Sequence, residues 1–381
     1  MEKDSKRSRQ IKSFIAMEVL EKSQEMEKAG EDVISLSIGE PDLPAPKVVK
    51  QAAIEAIRRD FTKYTHSQGL IEFREAVCEF YHKKHHVKVH PDQVFVTSGS
   101  SPAFLLAFAS ILDNKEEIIV SDPCYPCYPN FINFLEGKAK FLPVYEKNQF
   151  QYDPDELKKK ITKKTKGILV TSPGNPTGYL LPAKTYEALA NLGPYLISDE
   201  IYQGLVYEGV ERSALEFTDQ AFVLNGFSKS YSMTGFRLGY LIAPKKLCKA
   251  IARMSQNLYI SVSSFIQLAG LAALKEGQKD QLKMREIFRA RRQVALEELA
   301  KIGLSPTHIP QGAFYIFINV KKYTQDSYKF AFDCLKKAKV GITPGIDFGR
   351  HGEGYIRISY ANSIANIREG IRRLGKFIEG L

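Results

Sequence analysis

The sequence predicts an α/β fold built on a mostly parallel sheet, joined to a smaller α+β unit, and three observations carry that expectation. From Val94 to about Ala243, short apolar runs bounded by Gly, Pro and Asp alternate with helical patterns, the signature of parallel strands joined by crossover helices. The runs are nearly continuous in apolar residues, which suits a sheet covered by helices on both faces. At 381 residues the chain exceeds the length over which one core keeps growing, so a large domain with a smaller companion is expected.

Residues 1–30 are charged and end in a helical pattern, FIAMEVLEKSQEMEKAG, without the apolar centre of a signal peptide. The segment ISLSIGEPDLPAP (34–46) is too broken by Pro and Gly for a large-domain core and is assigned to the second unit. The strands expected next are VFVT (94–97), EIIVS (117–121), GILVTS (167–172), YLISD (195–199), FVLNG (222–226) and LGYLIA (238–243). A long amphipathic stretch, Met284 to Ile302, leads out of this region. Beyond it, AFYIFINV (313–320) and YIRISY (355–360) read as strands, with helices at Ser327–Ala338 and Ala365–Ile378. The resulting division is an N-terminal arm with part of the small domain (1–46), a large domain (47–285) and a small C-terminal domain (286–381).

Composition narrows the function classes. With 44% hydrophobic and 25% charged residues, nothing points to disorder or a fibrous chain, so function must reside in local motifs. The net charge of +11 is dispersed. Its densest stretch, LKKKITKKTK (157–166), reads as a solvated helix end and loop without the aromatic interleaving of nucleic-acid grooves, so no nucleic-acid partner is expected. Five cysteines, an odd number, argue against a secreted disulfide framework and for the cytoplasm. Cys124 and Cys127 have C-x-x-C spacing, but no second pair or histidine cluster completes a metal site, so packing is the expected role and no metal is implied. No apolar run reaches the roughly eighteen residues a membrane helix needs.

Four elements carry chemistry. In VFVTSGSSPAFLLAF (94–108) a strand runs into a polar turn and then a helix, with Ser101 expected as the N-cap and Pro102 as the first helical residue. The free amides of such a helix start, near Ser100 and Ser101, make a cradle for phosphate. SPGNPTG (172–178) is a rigid turn at a strand's carboxyl end, where open α/β sheets bind ligands, and it presents Asn175. YLISDEIYQGLVY (195–207) ends an apolar strand in Asp199, with Tyr202 three residues on. A buried carboxylate there needs a partner, and a protonated heterocyclic nitrogen would serve. FVLNGFSKSYSMTGFRLGYLIA (222–243) places Lys229 in a polar turn and Arg237 on the following strand. A lysine in a closed site loses its proton near neutral pH and becomes a Schiff-base nucleophile, and an arginine grips phosphate bidentately.

Taken together and in order, these motifs resemble the class I/II family of pyridoxal-phosphate-dependent aminotransferases, fold type I, from about Val33 to Leu374. The string S-K-x-x-x-M-T-G-x-R-x-G-Y is the most diagnostic, supported by N-P-T-G, S-D-E-I-Y, S-I-G-E-P-D and R-I-S-Y. The resemblance implies a large domain with a mostly parallel seven-stranded sheet plus a smaller α+β domain, and an aspartate-aminotransferase-like enzyme of amino-acid metabolism. It implies that Lys229 holds pyridoxal 5′-phosphate as a Schiff base, that Asp199 pairs with the pyridinium nitrogen, and that Asn175 and Tyr202 bond the ring's phenolic oxygen. By the same resemblance Ser100, Ser101 and Arg237 anchor the phosphate, and Tyr125 stacks on the ring. Arg357 of R-I-S-Y takes the substrate carboxylate, assisted by the Gly39 backbone and Asn175. Tyr64 in K-Y-T-H-S-Q-G resembles the tyrosine that reaches the neighbouring subunit's phosphate, implying a homodimer with shared active sites.

Two positions depart from the pattern. Many relatives carry a phosphate-binding serine three residues before the lysine, where this chain has Gly226, with Ser228 close in sequence. Some bacterial aspartate aminotransferases carry a lysine at the position of Ser101 to read a distal carboxylate, so a preference for aspartate does not follow here. The expected activity is transfer of an amino group between an L-amino acid and a 2-keto acid by a ping-pong route, with Lys229 carrying the Cα proton. Two alternatives stand beside it: a lyase performing C–S β-elimination on the same fold, and a non-catalytic effector-binding domain of a regulator.

Overall fold

The computed structural model describes residues 4–381; residues 1–3, which the sequence assigns to the N-terminal arm, lie outside the described residues. Its centre is a seven-stranded sheet. Across it the strands run Val94–Thr97, Gly239–Ile242, Ala221–Gly226, Tyr195–Asp199, Thr165–Thr171, Glu117–Asp122 and Lys138–Pro143. Only Gly239–Ile242 runs against its neighbours, so the sheet is mostly parallel as expected.

Alternate residues of each strand feed two different cores, because successive side chains of a strand point to opposite faces. Val94, Val96, Ile119, Val170, Leu196 and Val223 pack on one face with Phe73, Val77 and Tyr186 from the flanking helices. Phe95, Ile118, Val120, Leu169, Ile197 and Leu224 pack on the other with Phe104, Phe108 and Ile132. Both faces being dry explains why the strands read as unbroken apolar runs.

The strand Lys138–Pro143 was not expected from sequence. It is one of the sheet's two edges, and its residues Lys138 and Phe141 are exposed, so it carries the charges and terminal proline that exposed edge strands use rather than an apolar run.

A second sheet has three strands, with Tyr355–Ser359 in the middle between Thr343–Pro344 and Tyr315–Asn319. Arg357 sits on the central strand and is 2% exposed. Ile34–Ser35 pairs in parallel with Val340–Gly341, and Ile34 and Leu36 join the core formed with Ile316, Ile318, Ile356 and Ile358. The long helix Gln278–Lys301 contributes Phe288, Ala295 and Leu299 to that same core. Its Arg291 forms a two-pronged bond to Asp42, at 2.5 and 3.0 Å, which fixes the loop carrying Gly39.

Candidate active site

The carboxyl ends of the parallel strands open on a cavity of about 190 Å³. Ser100, Ser101, Tyr125, Asn175, Asp199, Tyr202, Lys229, Arg237, Gly39 and Arg357 all line it. They come from seven separate chain segments, which the fold brings to one cavity. Tyr64 is not among them; it is 81% exposed on the surface.

The strand Val94–Thr97 turns at Gly99, whose φ of +88° only glycine adopts without strain, into the helix Ser100–Ala109. Gly99, not Ser101, is the N-cap, which corrects the sequence expectation; Ser100 and Ser101 are the first two helical residues. No side chain caps this helix start, so its leading amides are free to meet an anion. Arg237 closes on the same point: a Cβ built on Gly99 would lie 2.6 Å from an Arg237 guanidinium nitrogen. Arg237 does not lie on a strand, as the sequence suggested, but two residues ahead of Gly239–Ile242 in a left-handed conformation. That φ of +53° swings its side chain to the helix start.

Gly226 is buried in the strand Ala221–Gly226 and does not line the cavity. A Cβ there would meet the Leu238 carbonyl at 2.9 Å, so the backbone leaves no room for a serine. Ser228 lines the cavity instead.

Asp199 ends its strand with its carboxylate buried, accepting from Tyr128 Oη at 2.5 Å and from the Ile201 amide at 3.1 Å. Burial lifts its pKa to about 6 despite these bonds and the nearby Lys229. Lys229 moves the other way, down to about 8, because burial and the neighbouring Arg357 and Arg237 outweigh the pull of Glu40 and Asp199. Its Nζ donates to the Gly39 carbonyl at 2.6 Å. A Cβ at Gly39 would fall 1.9 Å from Tyr315 Oη, so that carbonyl reaches the lysine only because residue 39 has no side chain.

Arg357 donates from one terminal nitrogen to Asn175 Oδ1 at 2.9 Å, and from the other to the Ser37 carbonyl and to Thr343 Oγ1 at 3.2 Å. Its guanidinium stands 4.3 Å from the Tyr315 ring centroid and 4.9 Å from that of Phe348. Its Nε is buried without a partner. Tyr202 Oη lies 2.8 Å from Tyr315 Oη, and burial holds the phenols of Tyr125, Tyr128 and Tyr202 protonated far above the usual range.

Sequence reasoning missed Phe14, Ile38, Phe104, Tyr128, Ile201, Thr234 and Tyr315 in this lining. Tyr128 follows Tyr125 by one helical turn, and Ile38 and Thr234 lie within the quoted S-I-G-E-P-D and M-T-G motifs; Phe104 and Tyr315 sit in apolar runs that read as core. Cys124 is buried against Phe104 and Tyr128, a packing role.

An open parallel α/β sheet, with a lysine, a carboxylate and an anion cradle converging at its strand ends, defines a fold type I cofactor enzyme. The chain belongs to the class I and II aminotransferases, whose family model matches residues 31–374. The (5-formylfuran-3-yl)methyl phosphate transaminase of Methanocaldococcus jannaschii is 40% identical, over 98% of this chain and 99% of that protein. The aspartate aminotransferase of Pyrococcus horikoshii is 36% identical, over 97% and 96% of the two chains. The solved aspartate aminotransferase of Thermus thermophilus with maleate superposes with a TM-score of 0.94 at 35% identity, covering 99% of this chain and 100% of that one. The family is pyridoxal-phosphate-dependent, and the chain is a pyridoxal-phosphate-dependent aminotransferase. Neither the lyase nor the regulator alternative gains support from these relatives, which are transaminases over nearly the whole length.

The residues present fit the cofactor. The uncapped helix start and Arg237 suit a phosphate, the buried Asp199 suits a protonated ring nitrogen, and Lys229 is poised to lose its proton near neutrality.

Proposed function

We propose that this cavity is where amino groups pass between an L-amino acid and a 2-keto acid, with Lys229 as the reactive base. The observation that carries the reading is the pairing of a lysine pushed down to about 8 with a buried carboxylate pushed up to about 6 in one enclosed space.

Bound pyridoxal phosphate supplies an electron sink for the charge that develops on the substrate's Cα. Lys229 Nζ would hold it covalently, and Asp199 would keep a proton on its ring nitrogen. Tyr202 and Asn175 bond its phenolic oxygen, and Tyr125 covers its ring. Ser100, Ser101, Ser228, Arg237 and the amides of the helix start hold its phosphate, joined by Tyr64 from a second subunit. Arg357 takes the substrate carboxylate as a bidentate fork, with Asn175 and Gly39 beside it. With the cofactor bound, Lys229 Nζ would be the base placed to take the substrate's Cα proton and hand it back within the same site. The first keto acid leaves before the second substrate enters, a ping-pong order.

Residues 47–285 are read as the cofactor-binding domain, and 1–46 with 286–381 as the arm and small domain. Support comes from the separate cores around the seven-stranded and three-stranded sheets. The homodimer rests on an exposed apolar surface: Ile54, Ile57, Phe61 and Tyr64 adjoin Leu258 and Ile260 through bonds from Ser264 to Phe61 and from Thr65 to Ser261. A cytoplasmic location rests on the five cysteines, all free.

The test is a half-reaction panel: single amino acids are added to the holoenzyme and the loss of cofactor absorbance is ranked. Release of pyruvate and ammonia from a cysteine conjugate without a keto-acid acceptor would favour elimination instead.

A further inference from the structure

Among the described residues before Ile34, an N-terminal strap, Phe14 alone lines the cavity, and the strap is fastened on both sides of it. Before Phe14, the Lys12 amide donates to Asn130 Oδ1 at 3.0 Å, and Asn130 Nδ2 donates back to the Lys12 carbonyl at 3.0 Å. This reciprocal pair imitates a bridge between strands, with one side supplied by a side chain of the helix Cys127–Phe134. After Phe14, the amides of Ile15 and Ala16 donate to the two carboxylate oxygens of Asp347, at 2.9 and 3.1 Å. These are the first two residues of the helix Ile15–Lys28, whose own N-cap residue is Phe14 and provides no capping bond. A carboxylate distant in sequence therefore does what a Ser or Asp at the cap would ordinarily do.

The Asp347 end is tied to the Tyr125 turn by the Cys124 amide bonding the Phe348 carbonyl at 2.8 Å, and the Phe348 ring lies beside the Arg357 guanidinium. Between the fastenings, the Phe14 ring stands edge-on to Tyr125, with centroids 5.8 Å apart and planes at 89°. Four apolar lining residues, Phe14, Ile38, Phe104 and Ile201, have no cofactor or carboxylate role, and of these Phe14 and Ile38 come from the segment 1–46.

We propose that Asn130 and Asp347 are positioning residues that pin Phe14 as an apolar wall of the substrate's side-chain compartment, and that the wall selects donors with flat apolar side chains. The inference rests on the aminotransferase reading. A ring laid against Phe14 and Ile38 gains buried apolar area, whereas a charged side chain there sheds water without a partner.

Holoenzyme variants Phe14→Ala, Asn130→Ala and Asp347→Asn are compared with the parent in half-reactions with phenylalanine, alanine and aspartate. Phe14→Ala lowers the preference for phenylalanine over alanine by about tenfold, the scale of one partly buried aromatic contact. Asn130→Ala and Asp347→Asn move the same ratio in the same direction by about threefold, through the KM for phenylalanine with kcat kept, the scale of a lost helix cap. Hydrogen exchange at residues 11–16 speeds up in both. An equal change for phenylalanine and alanine, unchanged exchange in the strap, or a parent enzyme that takes aspartate ahead of phenylalanine overturns the proposal. If no amino acid bleaches the parent, the aminotransferase reading itself fails, a separate result.

Discussion

Lys229 and Asp199 are displaced in opposite directions by the same cause. Burial disfavours charge on both, so the lysine falls to about 8 and the aspartate rises to about 6. In the cofactor-free protein, covalent labelling of Lys229 by an amine-reactive reagent should therefore rise with pH to half its maximum near 8, well below an ordinary lysine. Between about 8 and 10.5 the unfolded chain binds the lysine proton that the native state has shed, so this group makes stability increase with pH over that window. Lys229→Ala should lower transamination by at least ~10³-fold, since both covalent attachment and proton transfer are lost; turnover near the parental rate would refute its role. Asp199→Ala should slow Cα proton removal, read as loss of a deuterium label, far more than it weakens cofactor retention.

Glu200, next in sequence, faces the other way. Its carboxylate is fully buried and accepts from Ser213, the Ala214 amide, Tyr81 and Gln203 at 2.9, 3.0, 3.2 and 2.7 Å. Burial nonetheless pushes its pKa up to about 8 from an ordinary 4.5. The native state thus keeps a proton that the unfolded chain has lost, and the stability this provides is complete below about 4.5 and gone above about 8. Glu200→Gln should flatten the dependence of Tm on pH across that interval; an unchanged slope would show that Glu200 does not titrate there.

At the scale of elements, the phosphate cradle depends on backbones that touch. A Cβ on Gly239 would lie 2.7 Å from the Gly99 carbonyl carbon and 2.9 Å from the Ser100 amide nitrogen, both fixed backbone atoms. Gly239→Ala should push the start of the helix Ser100–Ala109 off the strand Gly239–Ile242 and weaken cofactor binding by roughly tenfold or more, since the helix start and Arg237 converge there. Equilibrium dialysis of the cofactor, with circular dichroism to confirm an intact fold, measures it. The strands around this cradle were legible because two dry faces force continuous apolar runs. The edge strand Lys138–Pro143 was not, because its exposed residues are charged and break the apolar run.

For the whole molecule, the proposed homodimer would form through Ile54, Ile57, Phe61, Tyr64, Leu258 and Ile260, all exposed. Phe61→Glu should shift the protein toward monomer in sedimentation and loosen the cofactor, while Tyr64→Phe should loosen the cofactor and leave association intact. A parent protein that sediments as a monomer at all concentrations would remove Tyr64 from the site.

The sequence by itself pointed to the α/β class, the family and ten lining residues of the cavity: Ser100, Ser101, Asn175, Asp199, Tyr202, Lys229 and Arg237 stand at turns and strand ends visible locally, whereas Gly39, Tyr125 and Arg357 followed from the family's motifs. The tertiary structure alone decided the rest. It put Arg357 on a central strand beside Tyr315, gave the helix cap to Gly99, replaced a serine at Gly226 with Ser228, and brought Asp347 to the amides of Ile15 and Ala16. Those contacts join residues far apart in the chain, and no local propensity records which distant backbone a side chain will meet.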